Sequence, residues 1–130
     1  YVSPPLLPQA QLYEFLAGGH LEPHLNAARG FLRAGRDALI GVLAEELPPG
    51  VAFTHPEGGY FLWVDFPAGT DASALAAKAR AAGVDIVPGQ GFHADGSGAA
   101  TARLAFSFPS AEQVREGARR LCRIVRQELA

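Results

Sequence analysis

Apolar residues recur at three- and four-residue spacing through the first half of this chain: Leu25, Ala28, Leu32, Leu39, Val42 and Leu43. That spacing lays them along one stripe of a helix, and the predicted helix runs from Glu22 to Leu47. Pro23 is tolerated in its first turn. Arg29, Arg33, Arg36 and Asp37 fall largely on its other faces, and Pro48-Pro49-Gly50 ends it. Ahead of it, Gln9 to Leu16 has room for two helical turns, stopped by Gly18-Gly19.

Beyond Gly50 the period drops to two. Val51 to Thr54 reads as a short strand and Gly59 to Phe66 as a stronger one, with Tyr60, Leu62, Val64 and Phe66 facing one way and Phe61, Trp63 and Asp65 the other. Both faces are largely apolar, so both are expected to be covered. A helix from Asp71 to Ala82 carries a single large apolar residue, Leu75, and Gly83 suits its left-handed C-terminal position. Val84 to Val87 is predicted as a strand, residues 88–98 as a loop, and Thr101 to Phe108 as a further strand. On that strand Ala102, Leu104, Phe106 and Phe108 share one face, and Thr101, Arg103, Ala105 and Ser107 the other. Ser110 with Gln113 fits a capping box ahead of a last helix whose stripe is Val114, Ala118, Leu121, Val125 and Leu129. Few strands interleaved with helices predict an α/β (α+β) fold: a small mixed, mostly antiparallel sheet covered by helices.

Composition narrows the function classes. The 130 residues suffice for one domain with its own core. Eleven basic against thirteen acidic side chains give a formal charge of −2, which argues against an electrostatic nucleic-acid binder. Cys122 is the one cysteine, so no internal disulfide framework is possible; the residue reads as a small core hydrophobe. No apolar run is long enough to span a bilayer, and a cytoplasmic location is expected. The chain starts at Tyr1 and contains no methionine, which suggests a piece of a longer protein.

Candidate chemistry is sparse. Arg103 stands mid-strand on the face opposite the apolar one, where a sheet would fix its guanidinium as a rigid fork for a carboxylate or phosphate. From local pattern alone, a solvent-facing arginine is the simpler reading. The loop PGQGFHADGSG is glycine-rich but lacks both GxGxxG and GxxxxGK[ST], and a strand follows it, so a plain connection outweighs a phosphate cradle. His93 and Asp95 within it are weak ligand candidates. His20 and His24 have i, i+4 spacing, but no third ligand completes a metal site. Gly58-Gly59 ahead of an aromatic-rich strand asks for a special backbone angle or a close approach to the main chain.

The series PEGGYFLWVDFP, an alanine-rich helix, GVDIVPGQGF, ARLAFSFPS and AEQVREGARRL resembles the C-terminal small domain of fold-type I pyridoxal-phosphate enzymes, the class I/II aminotransferases of 2-aminoadipate or kynurenine type. SPPLLPQAQLYEFL and HLNAARGFLRAGRDALIGVL also fit, as the end of the large domain and the long interdomain helix, so the resemblance spans essentially the whole chain. It implies that residues 1–20 are the tail of a large cofactor-binding domain. Residues 21–130 would be the small domain, including the interdomain helix 22–47. It implies that Arg103 binds the substrate α-carboxylate, which reverses the local reading. It also implies that Gly58, Gly59 and Tyr60 lie near the substrate entrance, and that Pro88, Gly89 and Phe92 shape the domain interface.

The implied substrates are an amino acid and a 2-oxo acid, the implied cofactor is pyridoxal 5'-phosphate, and the implied assembly is a homodimer. The sole lysine, Lys78, is expected to be exposed. The Schiff-base lysine and the other cofactor-binding groups would then lie in the large domain, with no catalytic or cofactor-binding residue in these 130. The chain departs from the resemblance at Leu32, where the long helix usually carries an aromatic. Gly30 and Gly35 interrupt the same helix, each at about 1 kcal/mol relative to alanine. Two alternatives stay open: the effector domain of a GntR/MocR-type transcriptional regulator, and a free-standing interaction module.

Overall fold

The computed structural model describes residues 4–130; the first three residues of the expected large-domain tail lie outside them. Two compact units divide between Phe31 and Leu32. The first holds helix α1 (Leu6–Ala17) and the start of α2 (Leu21–Glu46). Helix α1 begins earlier than its apolar pattern indicates because Pro8 falls in the first turn, where an N–H has no intrahelical acceptor to lose. Gly18 and Gly19, the latter at φ +73°, end it. None of its residues is buried, and Leu6, Leu7, Leu12, Tyr13 and Leu16 are exposed. In the same unit the ring of Phe15 meets those of His20 and His24 at centroid distances of 5.6 and 6.1 Å.

The second unit, Leu32–Ala130, contains the sheet. Its strands are β1 (Ala52–Phe53), β2 (Phe61–Asp65), β3 (Val87–Pro88) and β4 (Thr101–Ala105), in the spatial order β1-β2-β4-β3. All three pairings are antiparallel. Helices α3 (Ala72–Ala81) and α4 (Ala111–Glu128) and the second half of α2 contribute to one core with the sheet.

Local chemistry sets the boundaries. Asp71 caps α3 by accepting from the N–H groups of Ser73 and Ala74. Gly83 at φ +78° closes it, with Val84 N–H donating to Ala79 O at 2.9 Å and Gly83 N–H to Arg80 O at 3.0 Å. That closure takes the N–H of Val84, so the strand expected over 84–87 starts only at Val87. Pro88, expected to open the loop, instead pairs with Ala102. Residues Gly89–Phe92 then form a 3-10 turn inside the expected loop. Strand β4 ends at Ala105, before Phe108, because Ser107–Pro109 turn away; Phe108, expected on the buried face, is 93% exposed. The capping box of Ser110 and Gln113 forms as expected.

The core lies on one face of the sheet. Leu62, Val64, Ala102 and Leu104 meet Leu39, Val42 and Leu43 of α2, Leu75 of α3 and Val114, Leu121 and Val125 of α4. Each fully buried side chain of this size stabilises the fold by about 1.5–3 kcal/mol. The opposite face, also expected to be covered, is partly open: Phe61, Asp65 and Ala105 are exposed there, while Trp63, Thr101 and Arg103 are half-buried.

Cys122 is fully buried in this core, and burial pushes its thiol up to about 11 from an ordinary 9.0. The thiolate is the reactive form. Iodoacetamide at about pH 8 is therefore expected to leave Cys122 intact in the folded protein and to alkylate it in denaturant. Peptide mass analysis checks this, and equal labelling rates would contradict it. The folded pKa lies above the unfolded one, so the protonated thiol favours the fold below about pH 9. That contribution is lost as pH rises from 9 towards 11.

Candidate functional site

Arg103 sits on β4, one of the two inner strands, opposite Trp63 of β2 and Val87 of β3. Alternation turns Ala102 and Leu104 into the core and puts Arg103 on the sheet's other face with Phe61 and Trp63. Its guanidinium carbon lies 4.0 Å from the ring centroid of Phe61 and 4.5 Å from that of Phe92. The Trp63 ring meets Phe92 edge-on, 5.2 Å between centroids at 86°.

Phe92 reaches this position through the 3-10 turn. Gly89, at the head of that turn, is buried on β4 so closely that a Cβ would stand 1.8 Å from Thr101 Oγ1. Only glycine admits this approach.

The electrostatics of Arg103 are those of a cation lacking its anion. Its Nε is buried without a hydrogen-bond partner, and no ion pair joins it to a carboxylate among the described residues. Aromatic faces attract a guanidinium but satisfy none of its in-plane N–H donors. What remains is a flat fork set against two rings with its donors unspent, a group suited to a carboxylate or phosphate.

Gly58, Gly59 and Tyr60 form the turn leading into β2. Gly59 has φ +83°, and nothing lies within 4 Å of a Cβ built on either glycine. Within this chain the need for glycine is therefore conformational at position 59, with no crowding of the main chain. Tyr60 is exposed; its carbonyl accepts from Phe106 N–H at 3.0 Å, and its ring meets Phe61 edge-on at 6.2 Å. Phe61 thus links this turn to Arg103.

Sequence reasoning missed Arg36, placing it on an outer face of the long helix. Its Nη1 donates to the carbonyls of Glu57 (3.0 Å) and Pro56 (3.5 Å), while Nε and Nη2 grip Asp37 Oδ1 at 2.8 and 2.7 Å. The turn carrying Gly58 and Gly59 is thereby tied to α2. No local pattern announces a bond across twenty residues.

The other candidates are engaged with partners of their own. His93 Nδ1 lies 2.9 Å from Ser97 Oγ, and Asp95 accepts from Ser97 N–H at 3.0 Å. Hydrogen bonds from Ser97 hold the Asp95 carboxyl below its usual range, with a smaller contribution from His93. Asp95 takes its hydrogen bonding from Ser97 and makes none with the imidazole, so the trio staples its own loop and does not form a catalytic relay. Lys78 is exposed on α3 and paired with Glu128. Because α3 packs on the core face of the sheet, Lys78 and Arg103 lie on opposite sides of it. A cofactor carried on a lysine beside Arg103 does not fit the residues present here. No cluster of three or more metal-ligating side chains occurs among the described residues, and none of their helices is long and apolar enough to cross a membrane.

The chain is 37% identical over 121 residues to aromatic-amino-acid aminotransferase 1 of Thermococcus litoralis, covering 93% of this chain and 29% of that protein. Its fold superposes with a TM-score of 0.88 on the alpha-aminoadipate aminotransferase LysN of Thermus thermophilus, crystallised with N-(5'-phosphopyridoxyl)-L-leucine. There the identity is 36%, over 96% of this chain and 32% of that one. A more distant likeness, 25% identical, covers 93% of this chain and 26% of an uncharacterized HTH-type transcriptional regulator, YdcR, of Escherichia coli. The chain thus spans under a third of the length of each of these relatives. The sequence profile described as Aminotransferase class I and II matches residues 2–121. With a match of that extent and the corresponding fold, the chain belongs to the class I and II aminotransferase family.

Proposed function

We propose that this chain is the C-terminal small domain of an enzyme that moves an amino group between an amino acid and a 2-oxo acid, and that Arg103 seats the substrate α-carboxylate. The observation that carries this reading is the guanidinium of Arg103: set against two aromatic rings, partly buried and without an anion of its own. A bidentate carboxylate would satisfy its free donors and fix the orientation of the Cα–H bond, and orientation is a large part of such rate gains. Gly58, Gly59 and Tyr60 border the entrance in this reading, and Arg36 holds their turn. Residues 1–20 belong to the large domain and 21–130 to the small one. Pyridoxal 5'-phosphate is held by residues outside these 130, since Lys78 faces away from the site. A cytoplasmic homodimer belongs to the same reading.

The test uses the complete protein, supplied with pyridoxal phosphate, an L-aromatic amino acid or L-2-aminoadipate, and 2-oxoglutarate. Formation of L-glutamate and the matching 2-oxo acid in equal amounts is expected. Binding of the amino acid without any transfer would overturn the enzyme reading in favour of a regulator's sensing domain. The partial likeness to a helix-turn-helix regulator keeps that second reading in view.

A further inference from the structure

We infer that Phe61 and Phe92 form an aromatic clamp that sets the plane of the Arg103 guanidinium, with Trp63 bracing Phe92, and that this clamp determines how strongly the site selects a carboxylate over a neutral group. The inference rests on the proposed role of Arg103 and deepens it. A free arginine side chain has many rotamers, and freezing them costs free energy on binding. Here the two rings approach the guanidinium carbon at 4.0 and 4.5 Å. They come from different elements: Phe61 from β2, diagonal to Arg103 across the strand pair, and Phe92 from the 3-10 turn.

The rings serve two ends. They take the place of water over the guanidinium and offer it their negative π faces. They leave its in-plane N–H donors open, so an incoming carboxylate meets a fork already oriented and poorly hydrated. Charge-assisted hydrogen bonds gain strength in such surroundings. Trp63 meets the Phe92 ring at 5.2 Å, and Gly89 pins the start of the turn that carries it. Phe61 and Phe92 are each partly exposed, so neither is accounted for by filling the core. Phe61, Phe92 and Trp63 are positioning residues: their effect on substrate passes through Arg103.

The experiment measures carboxylate selectivity in the complete protein. Binding of 3-phenylpropionate is compared with that of its neutral isostere 3-phenylpropanamide by calorimetry, in wild type and in Phe92→Leu, Phe92→Tyr and Arg103→Ala. Phe92→Leu keeps an apolar side chain but removes the π face. It is expected to lower the preference for the carboxylate about fivefold to tenfold and to leave the amide unaffected. Phe92→Tyr, which keeps the π face, restores the preference. In turnover assays Phe92→Leu should raise KM for the amino donor more than it lowers kcat. Equal weakening of acid and amide, or failure of tyrosine to rescue, would show that Phe92 merely lines the pocket and would sink the clamp. Arg103→Ala separates the two ideas. If it retains the preference, Arg103 is not the carboxylate seat. If it abolishes the preference while Phe92→Leu preserves it, the seat stands and the clamp falls.

Discussion

Arg103→Ala in the complete protein is expected to raise the KM for an amino donor by about a hundredfold, with the affinity for pyridoxal phosphate changed by less than about twofold. Removing one partner of a desolvated, hydrogen-bonded charge pair costs about 2–5 kcal/mol. Much of that is the penalty of leaving the other partner, here the substrate carboxylate, without its donors. In the proposed role Arg103 meets that case, with its Nε buried and unbonded and its guanidinium carbon 4.0 and 4.5 Å from two ring centroids. Arg103→Lys should recover only part of the loss, because an ammonium keeps the charge but not the two-pronged geometry. Steady-state kinetics read the KM, and titration of the apo-protein reads the cofactor. A KM unchanged within twofold would remove Arg103 from substrate recognition.

Gly35→Ala is expected to destabilise the protein by about 3 kcal/mol, the upper end of the usual cost of overpacking. A Cβ at this position in α2 would stand 2.5 Å from the backbone carbonyl oxygen of Phe106. A side chain could rotate aside; a carbonyl at the end of β4, next to the Phe106 N–H bond to Tyr60, cannot move without disturbing the sheet. Gly41→Ala is the control, in the same helix but with nothing within 4 Å of its Cβ. It should stabilise by up to about 1 kcal/mol through helix propensity alone. Urea unfolding of both variants decides the matter: parallel shifts of the two midpoints would show that the close contact at Gly35 carries no energetic weight.

That contrast shows what could be read in the sequence. As a sequence symbol Gly35 resembles Gly30 and Gly41, three weak points in a helix. The contact that sets it apart is with the carbonyl of Phe106, just past β4 and some seventy residues on, and no window along the chain holds both. The periodic signals were sound where a segment's own chemistry decides its structure. Asp71 and Ser110 cap their helices, Gly83 closes α3, and the alternation of Ala102, Arg103 and Leu104 puts the arginine opposite the core. The boundaries that moved did so where one backbone group had two claimants. Val84 gives its N–H to Ala79, so β3 begins late, and the Ser107–Pro109 turn releases Phe108 from the strand.

The site followed the same division. The place of Arg103 on its strand was legible, as was the need for glycine at position 59, whereas the partners were not. Phe61, Trp63 and Phe92 look like strand and loop aromatics until pairing and the 3-10 turn bring them to one guanidinium. Arg36 looks like a solvated helix charge until the turn at Pro56 and Glu57 arrives beside it.

The two outer strands of the sheet, β1 and β3, are each two residues long, and Pro88 in β3 has no N–H to offer. A strand from another molecule would find almost no row of free donors and acceptors to extend. Polymerisation by strand addition is thereby disfavoured for this sheet, however apolar its centre. An edge this short leaves side-chain contacts as the favoured route for association through this sheet, and such contacts are open to disruption by a single charged substitution.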